Sequence, residues 1–211
     1  MPAKKRKQTQ KQRDLSGLPS GAFAHPEDRR SLRGLRSVPG VQWATRQLTK
    51  RSYEKIVRLS LTAKAVKAGP KSFAPVHAIQ AEASRILDVP APDLYVCQSA
   101  EAVARTTGPD APVTVVSSGL LDLLDEDELF AALAHQASHI HCEHLPYLLL
   151  CDFVREAADA LGVVGTPLLG PQVALEEWRR RAELSCDRGA LLVTGNRDAL
   201  LSMLAKLAGG A

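Results

Sequence analysis

Four of the chain's six histidines fall within the stretch HQASHIHCEH, from His135 to His144. His135 and His139 are four apart, so on an α-helix they stand about 40° apart in azimuth and one turn apart in height. Both imidazoles can then reach one ion, which is half of a zinc site. Alone the spacing is a weak signal, because such pairs also arise on helix surfaces and as hydrogen-bonded core residues. A second stretch, RRRAELSCDRGALL, strengthens it. There Glu183 can supply an oxygen ligand, and Asp187, one turn on, can accept the remaining ring N–H of a ligand histidine. Two histidines and one carboxylate leave a fourth position open, which is a catalytic rather than a structural arrangement. The same donors also accept iron, cobalt or nickel.

Both stretches need long helices to present them. LLDLLDEDELFAALAHQASHIHCEHL opens with acidic residues, and Asp125 followed by Glu128 forms a capping pattern. That helix is expected to run to about Leu145, where Pro146 disfavours continuation. PQVALEEWRRRAELSCDRGALLVTG has Pro171 at a permitted first-turn position and ends in Gly195, a natural stop. Upstream, Pro26 to Arg36 and Val41 to Lys67 have helical apolar spacing, separated by VPG at Val38 to Gly40. APVHAIQAEASRILDVP predicts another helix, stopped at Pro90. Asp93 to Gln98 and Val113 to Ser118 are short β-rich runs joined by TTGPDAP, and RDALLSMLAKLAGGA is a last short helix. The expected class is therefore α+β, mostly helical, with a small sheet beside the histidine helix and no internal repeats.

With 211 residues and 45% hydrophobic content, the chain can bury one real core but not two. The net charge of +4 comes from the N-terminus, where Met1 to Asp14 holds six Lys/Arg and one Asp. AKKRKQTQKQR lacks aromatics and any hydrophobic period, so residues 1–24 read as a disordered basic arm ahead of a domain over 25–211. Contact with nucleic acid is a property of that arm at most. Trp178, Arg179, Arg180 and Arg181 read as the exposed N-terminal half of the Glu183 helix, and DLLDEDEL lacks a calcium-loop pattern. Cys97, Cys142, Cys151 and Cys186 form no C-x-x-C pair or secreted framework, which points to buried thiols in a reducing compartment, the cytoplasm by default. The N-terminal charge has no apolar segment behind it. The stretch Leu145 to Leu175 is broken by Asp152, Arg155, Glu156, Asp159, Pro167 and Pro171, so neither a signal peptide nor a membrane span is expected.

The segment LLDLLDEDELFAALAHQASHIHCEH, followed downstream by AELSCDRGALL, resembles the gluzincin metallopeptidases that include the CAAX prenyl proteases and the heat-shock peptidase HtpX. The likeness is greatest to their soluble bacterial and plant members. HPEDRRSLRGLRSVPG and ILDVPAPDLYV extend it over most of the chain after residue 25. The resemblance implies a zincin-like domain with an H-E-x-x-H helix and a downstream E-x-x-x-D helix. It thereby implies one zinc ion per chain on His135, His139 and Glu183, with Asp187 supporting the ligands from behind. A peptide or peptide-like molecule is the implied partner.

Three departures bear on activity. The family's Glu after the first histidine takes a proton from the attacking water and passes it to the leaving amine, but this chain has Gln136. An amide orients a water and cannot accept its proton at neutral pH. Acid–base catalysis contributes ~10²–10⁴ in rate, so ordinary peptide hydrolysis is expected to be severely weakened. Relatives also carry Asn-Ala-Phe/Tyr before TTG, where it helps hold extended substrate; here Val103 and Arg105 occupy those places in AVARTTG. Relatives continue past the E-x-x-x-D helix to another basic residue, whereas this sequence stops at Ala211.

No replacement base stands out. Glu143 lies about 80° round the helix from His135 and roughly 12 Å along it. His141 and His144 project from other faces as surface or packing residues, with a proton-shuttle role open only if the chain folds back. Cys142 and Cys186 have the phase of buried packing residues. The expectation is a zinc-binding metallopeptidase homologue impaired in ordinary hydrolysis. Two alternatives stand beside it: a zinc enzyme diverted to a small molecule or modified peptide, and an active metalloendopeptidase carrying an inactivating Glu-to-Gln substitution. A non-catalytic binding module recruited by the basic arm is the remaining outsider.

Overall fold

The computed structural model describes residues 13–48, 51–162 and 169–209. These residues form α1 (Pro26–Ser37), α2 (Val41–Leu48), α3 (Arg51–Lys64), β1 (Ala65–Lys67), α4 (Ala74–Ile86), β2 (Asp93–Cys97), β3 (Ala104–Thr107) and β4 (Val113–Ser117). They continue with α5 (Ser118–Leu123), α6 (Glu126–His141), α7 (Leu145–Leu161), α8 (Leu169–Thr194) and α9 (Arg197–Gly209). The class is α+β and mostly helical, as the sequence predicts.

The histidine helix starts where the acidic cap places it. Asp125 accepts from the backbone of Asp127 and Glu128, and the Glu128 side chain accepts from the Asp125 N–H, a closed capping box. Glu128 is buried and held further by Lys206 Nζ at 2.6 Å and Ser202 Oγ at 2.6 Å. That anchors the start of α6 to α9. Helix α1 is entered the same way: His25 accepts from the Glu27 N–H, Pro26 takes the first turn, and Glu27 and Asp28 favour the positive end of the dipole.

The sheet runs β1-β2-β4-β3, with β2 and β4 parallel and both outer pairs antiparallel. Its core face, including Leu94, Val96 and Val116, packs with α4, α6 and α9 through Ile79, Ala83, Leu129, Leu133 and Met203. A second cluster joins α1, α7 and α8 through Leu32, Tyr147, Leu150, Leu175, Trp178 and Ala182. Small residues set the distance between α6 and α8: Ala134, Ala137 and Ser138 on one, Ala182, Gly189 and Ala190 on the other, all buried.

Several local expectations are corrected by tertiary packing. Val41 to Lys67 is not one helix: α2 closes at Leu48, α3 follows from Arg51, and the last three residues pair with β2 as β1. The linker between the two predicted strands contains β3, whose Ala104–Thr107 pairs with Val116–Val113. Helix α6 closes at His141, before Leu145, and Pro146 opens α7 rather than ending a helix, because a missing N–H costs nothing in a first turn. Trp178 is 1% exposed, so the expectation of a fully exposed helix half fails at that residue. Its indole is buried between Tyr147 and His144, at ring-centroid distances of 5.8 and 5.7 Å.

The basic residues 1–12 lie outside the described residues. Residues 13–24, assigned to the same arm from sequence, make specific contacts. Leu15 N–H donates to Ile86 O at 2.9 Å, Arg13 Nη1 to Leu192 O at 2.8 Å, and Phe23 is buried with Ala24 and Cys142. Among the described residues, no helix is long and apolar enough to cross a membrane.

Candidate metal centre

Helices α6 and α8 bring together the four residues that the sequence singled out. The Glu183 carboxylate presents one oxygen to each imidazole, with Oε2 3.1 Å from His135 Nε2 and Oε1 3.7 Å from His139 Nε2. Asp187, one turn further along α8, places Oδ1 2.9 Å from His135 Nδ1. A carboxylate only accepts, so this contact keeps a proton on His135 Nδ1 and turns Nε2 towards Glu183. Ligands held 2.0–2.1 Å from a tetrahedral zinc ion are about 3.3 Å from one another. The two nitrogen–oxygen separations lie either side of that figure, so the Glu183 carboxylate stands at ligand spacing from each imidazole.

Electrostatics sort the three candidate ligands. Burial alone would lower the His135 pKa, but hydrogen bonds to Asp187 and Glu183 and their negative charges outweigh it and raise it to about 9. His139 goes the other way: burial, with the neighbouring His135 charge, lowers it to about 4 despite the bond to Glu183. For Glu183 burial favours the neutral acid, and the two imidazoles overcome it, holding the carboxyl well below its usual range. Without metal, the site therefore stores one proton on His135 between two carboxylates.

Gln136, His139 and Glu183 open onto one cleft of about 310 Å³, lined also by Val103, Ala104, Arg105 and Thr106 from the β3 edge of the sheet. Both sequence-predicted groove positions, Val103 and Arg105, thus face the same cavity as the histidine helix. The far wall carries buried Asp152, paired with Arg105 and 3.5 Å from Arg179 Nη1.

The other candidates fall outside the cleft. Glu143 is largely exposed and pairs with Arg36 at 3.0 Å. The His141 ring lies at 2.9 Å from Leu18 O and stacks near Phe23, a packing role. Cys142 and Cys186 are buried free thiols; burial pushes Cys142 up to about 12 and Cys186 well above the ordinary thiol value. His135, His139 and Cys186 do present ligand atoms within 4.8 Å of one another. The sulfur, however, is buried and sits 3.6 Å from His144 Nδ1, whereas Glu183 lines the cleft beside His139 and meets the Nε2 atoms of both histidines. The residue missed by sequence reasoning is His144. It is buried and reaches His139, its Nδ1 3.2 Å from the His139 Nδ1.

Comparison with known proteins agrees with this geometry. The model of Peptidase family M48 matches residues 70–210. A plastoglobule-localized metallopeptidase 48 of Arabidopsis thaliana is 36% identical over 201 residues, covering 92% of this chain and 57% of the relative. Protease HtpX homolog 2 of Methanosarcina acetivorans is 28% identical over 151 residues, covering 59% of this chain and 51% of its own length. The chain thus spans little more than half of each of these relatives. With a family match over residues 70–210 and a relative 36% identical across 92% of its length, the chain belongs to peptidase family M48, a family of zinc metallopeptidases.

Proposed function

We propose that this chain holds one zinc ion on His135 Nε2, His139 Nε2 and Glu183, with Asp187 fixing His135, and that Gln136 leaves it impaired in ordinary peptide hydrolysis. The observation that carries the metal reading is the placement of the Glu183 carboxylate, one oxygen to each Nε2, at separations close to those between ligands of a tetrahedral ion. Zinc bound there supplies Lewis acidity, polarising a peptide carbonyl and making a water acidic at neutral pH.

The chain's own residues supply the rest. The cleft lining by the β3 edge with Val103 and Arg105 supports an extended peptide or peptide-like ligand laid along it. Gln136 lines the same cleft and can donate and accept hydrogen bonds from a water or a substrate carbonyl. It takes up no proton, so water attack and departure of the amine proceed without a carboxylate base. The four free thiols support a reducing compartment such as the cytoplasm for this activity.

Metal content of the purified protein, measured by inductively coupled plasma mass spectrometry beside a His139→Ala variant, tests the site. The reading expects one zinc per chain, lost in the variant. A wild-type protein free of stoichiometric metal sinks it.

A further inference from the structure

Helix α6 ends in a turn that carries His144 back onto His139. The His144 N–H donates to His139 O at 3.0 Å and the Glu143 N–H to Ile140 O at 3.1 Å, the paired bonds of a Schellman closure. The residue in the left-handed position is Glu143, with φ of 57°, a conformation usually given to glycine. In this motif the residue after the left-handed one lies over the residue five before it, and here both are histidines.

The contact continues into the protein. His144 Nε2 is 3.1 Å from Asp28 Oδ2, on α1, and Asp28 also accepts from Trp178 Nε1 at 3.0 Å and Ser185 Oγ at 2.5 Å. Asp28 and His144 are both 1% exposed. Burial works against the Asp28 charge, but bonds from His144, Ser185 and Trp178 keep its carboxyl below the usual range. An ionised carboxylate only accepts, so His144 presents an N–H to it from Nε2. Its Nδ1 faces the His139 Nδ1 at 3.2 Å, with Cys186 Sγ 3.6 Å away. A metal held at His139 Nε2 would leave that ring's proton on Nδ1, so of the two facing Nδ1 atoms His139 donates and His144 accepts.

We propose that Asp28 and His144 are positioning residues that fix the tautomer and ring orientation of His139, leaving its Nε2 lone pair directed at the Glu183 carboxylate as a ready metal ligand. His135 receives the same service directly from Asp187; His139 receives it from a carboxylate on a distant helix, relayed by a second imidazole. This inference rests on the zinc reading above, and it makes α1 part of the metal site.

The test compares His144→Asn with His144→Gln. Asparagine places its Oδ1 where Nδ1 stood and keeps the acceptor for His139 while losing the donor to Asp28. Glutamine reaches Asp28 and loses the acceptor. Each removes one buried hydrogen bond, so a role in folding alone predicts similar behaviour. Zinc affinity is read by chelator competition, and the ligand field by the visible spectrum of the cobalt(II) form. The relay predicts that the Gln variant binds zinc about 10–100-fold more weakly, the usual cost of losing a ligand's hydrogen-bonding support, with a shifted cobalt spectrum. The Asn variant stays close to wild type in both. Asp28→Asn, which leaves both rings in place, is expected to weaken binding as well. Equal zinc affinities for the Asn and Gln variants would overturn the relay while leaving the zinc site standing. A wild-type protein that fails to bind zinc would overturn the site reading and the relay with it.

Discussion

Gly189 on α8 stands so close to Ser138 on α6 that a Cβ built on it would lie 2.2 Å from the Ser138 Oγ and 2.9 Å from its Cβ, with Phe23 3.1 Å away. This contact sets how near the two helices come, and so how near Glu183 and Asp187 come to the histidines. In an open helix Gly→Ala gains about 1 kcal/mol. Here Gly189→Ala is expected to lose stability, because overpacking costs about 1–3 kcal/mol and the helices must part. Urea unfolding of the metal-free protein measures it, and adding Ser138→Ala should return part of the loss.

The two ligand histidines predict opposite limbs of the pH profile of metal-free stability. The folded-state pKa of His135 is raised from 6.5 to about 9, so its stabilisation is complete below pH 6.5 and lost as pH rises through 9. The folded-state pKa of His139 is lowered from 6.5 to about 4, so the unfolded chain binds the extra proton and stability falls as pH drops from 6.5 towards 4. Glu183 adds to the acid limb, its stabilisation present above its ordinary value of 4.5 and lost at lower pH. Thermal melts of the metal-free protein should peak near pH 6.5. An unchanged melting temperature from pH 6.5 to 9 would contradict the proton on His135. Zinc should flatten the alkaline limb, since a ligand imidazole is already neutral.

Gln136→Glu places a base in the cleft with little change of shape. Zinc content should stay the same, while turnover of an unstructured protein such as casein rises by about 10²–10⁴. No gain at full zinc occupancy would show that the rest of the cleft, including Val103 and Arg105, is not arranged for peptide hydrolysis.

Trp178→Phe keeps the packing of the second core cluster and deletes the N–H that reaches Asp28 at 3.0 Å. A hydrogen bond to a buried charge is worth about 1.5–3 kcal/mol, so the variant should unfold at correspondingly lower urea. An effect below the error of the extrapolation would mean that Ser185 and His144 satisfy Asp28 by themselves.

Much of the candidate centre was legible because it is written at helical spacing. The capping pair Asp125 and Glu128, the His135–His139 interval and the Glu183–Asp187 interval are local patterns, and each appears where expected. His144 was not legible. Its recruitment depends on a left-handed residue after α6, and that residue is Glu143, so no glycine announces the turn. Trp178 was read as exposed because three arginines follow it; the indole instead turns into the core towards a carboxylate on another helix. Strand β3 was missed because four residues gain their structure only from pairing with β4.

By itself, the sequence determined the mostly helical α+β class, the two helices that carry the candidate metal-binding side chains, and the amide at position 136. Those follow from caps, spacing and side-chain chemistry, all of which act within a few turns of one helix. Only the tertiary structure decided which way each candidate ligand ring is held: that Asp187 meets His135 and not His139, and that Asp28 reaches His139 through His144. Hydrogen bonds between residues more than a hundred positions apart have no local signature, and they exist only once α1, α6 and α8 have buried their polar groups together.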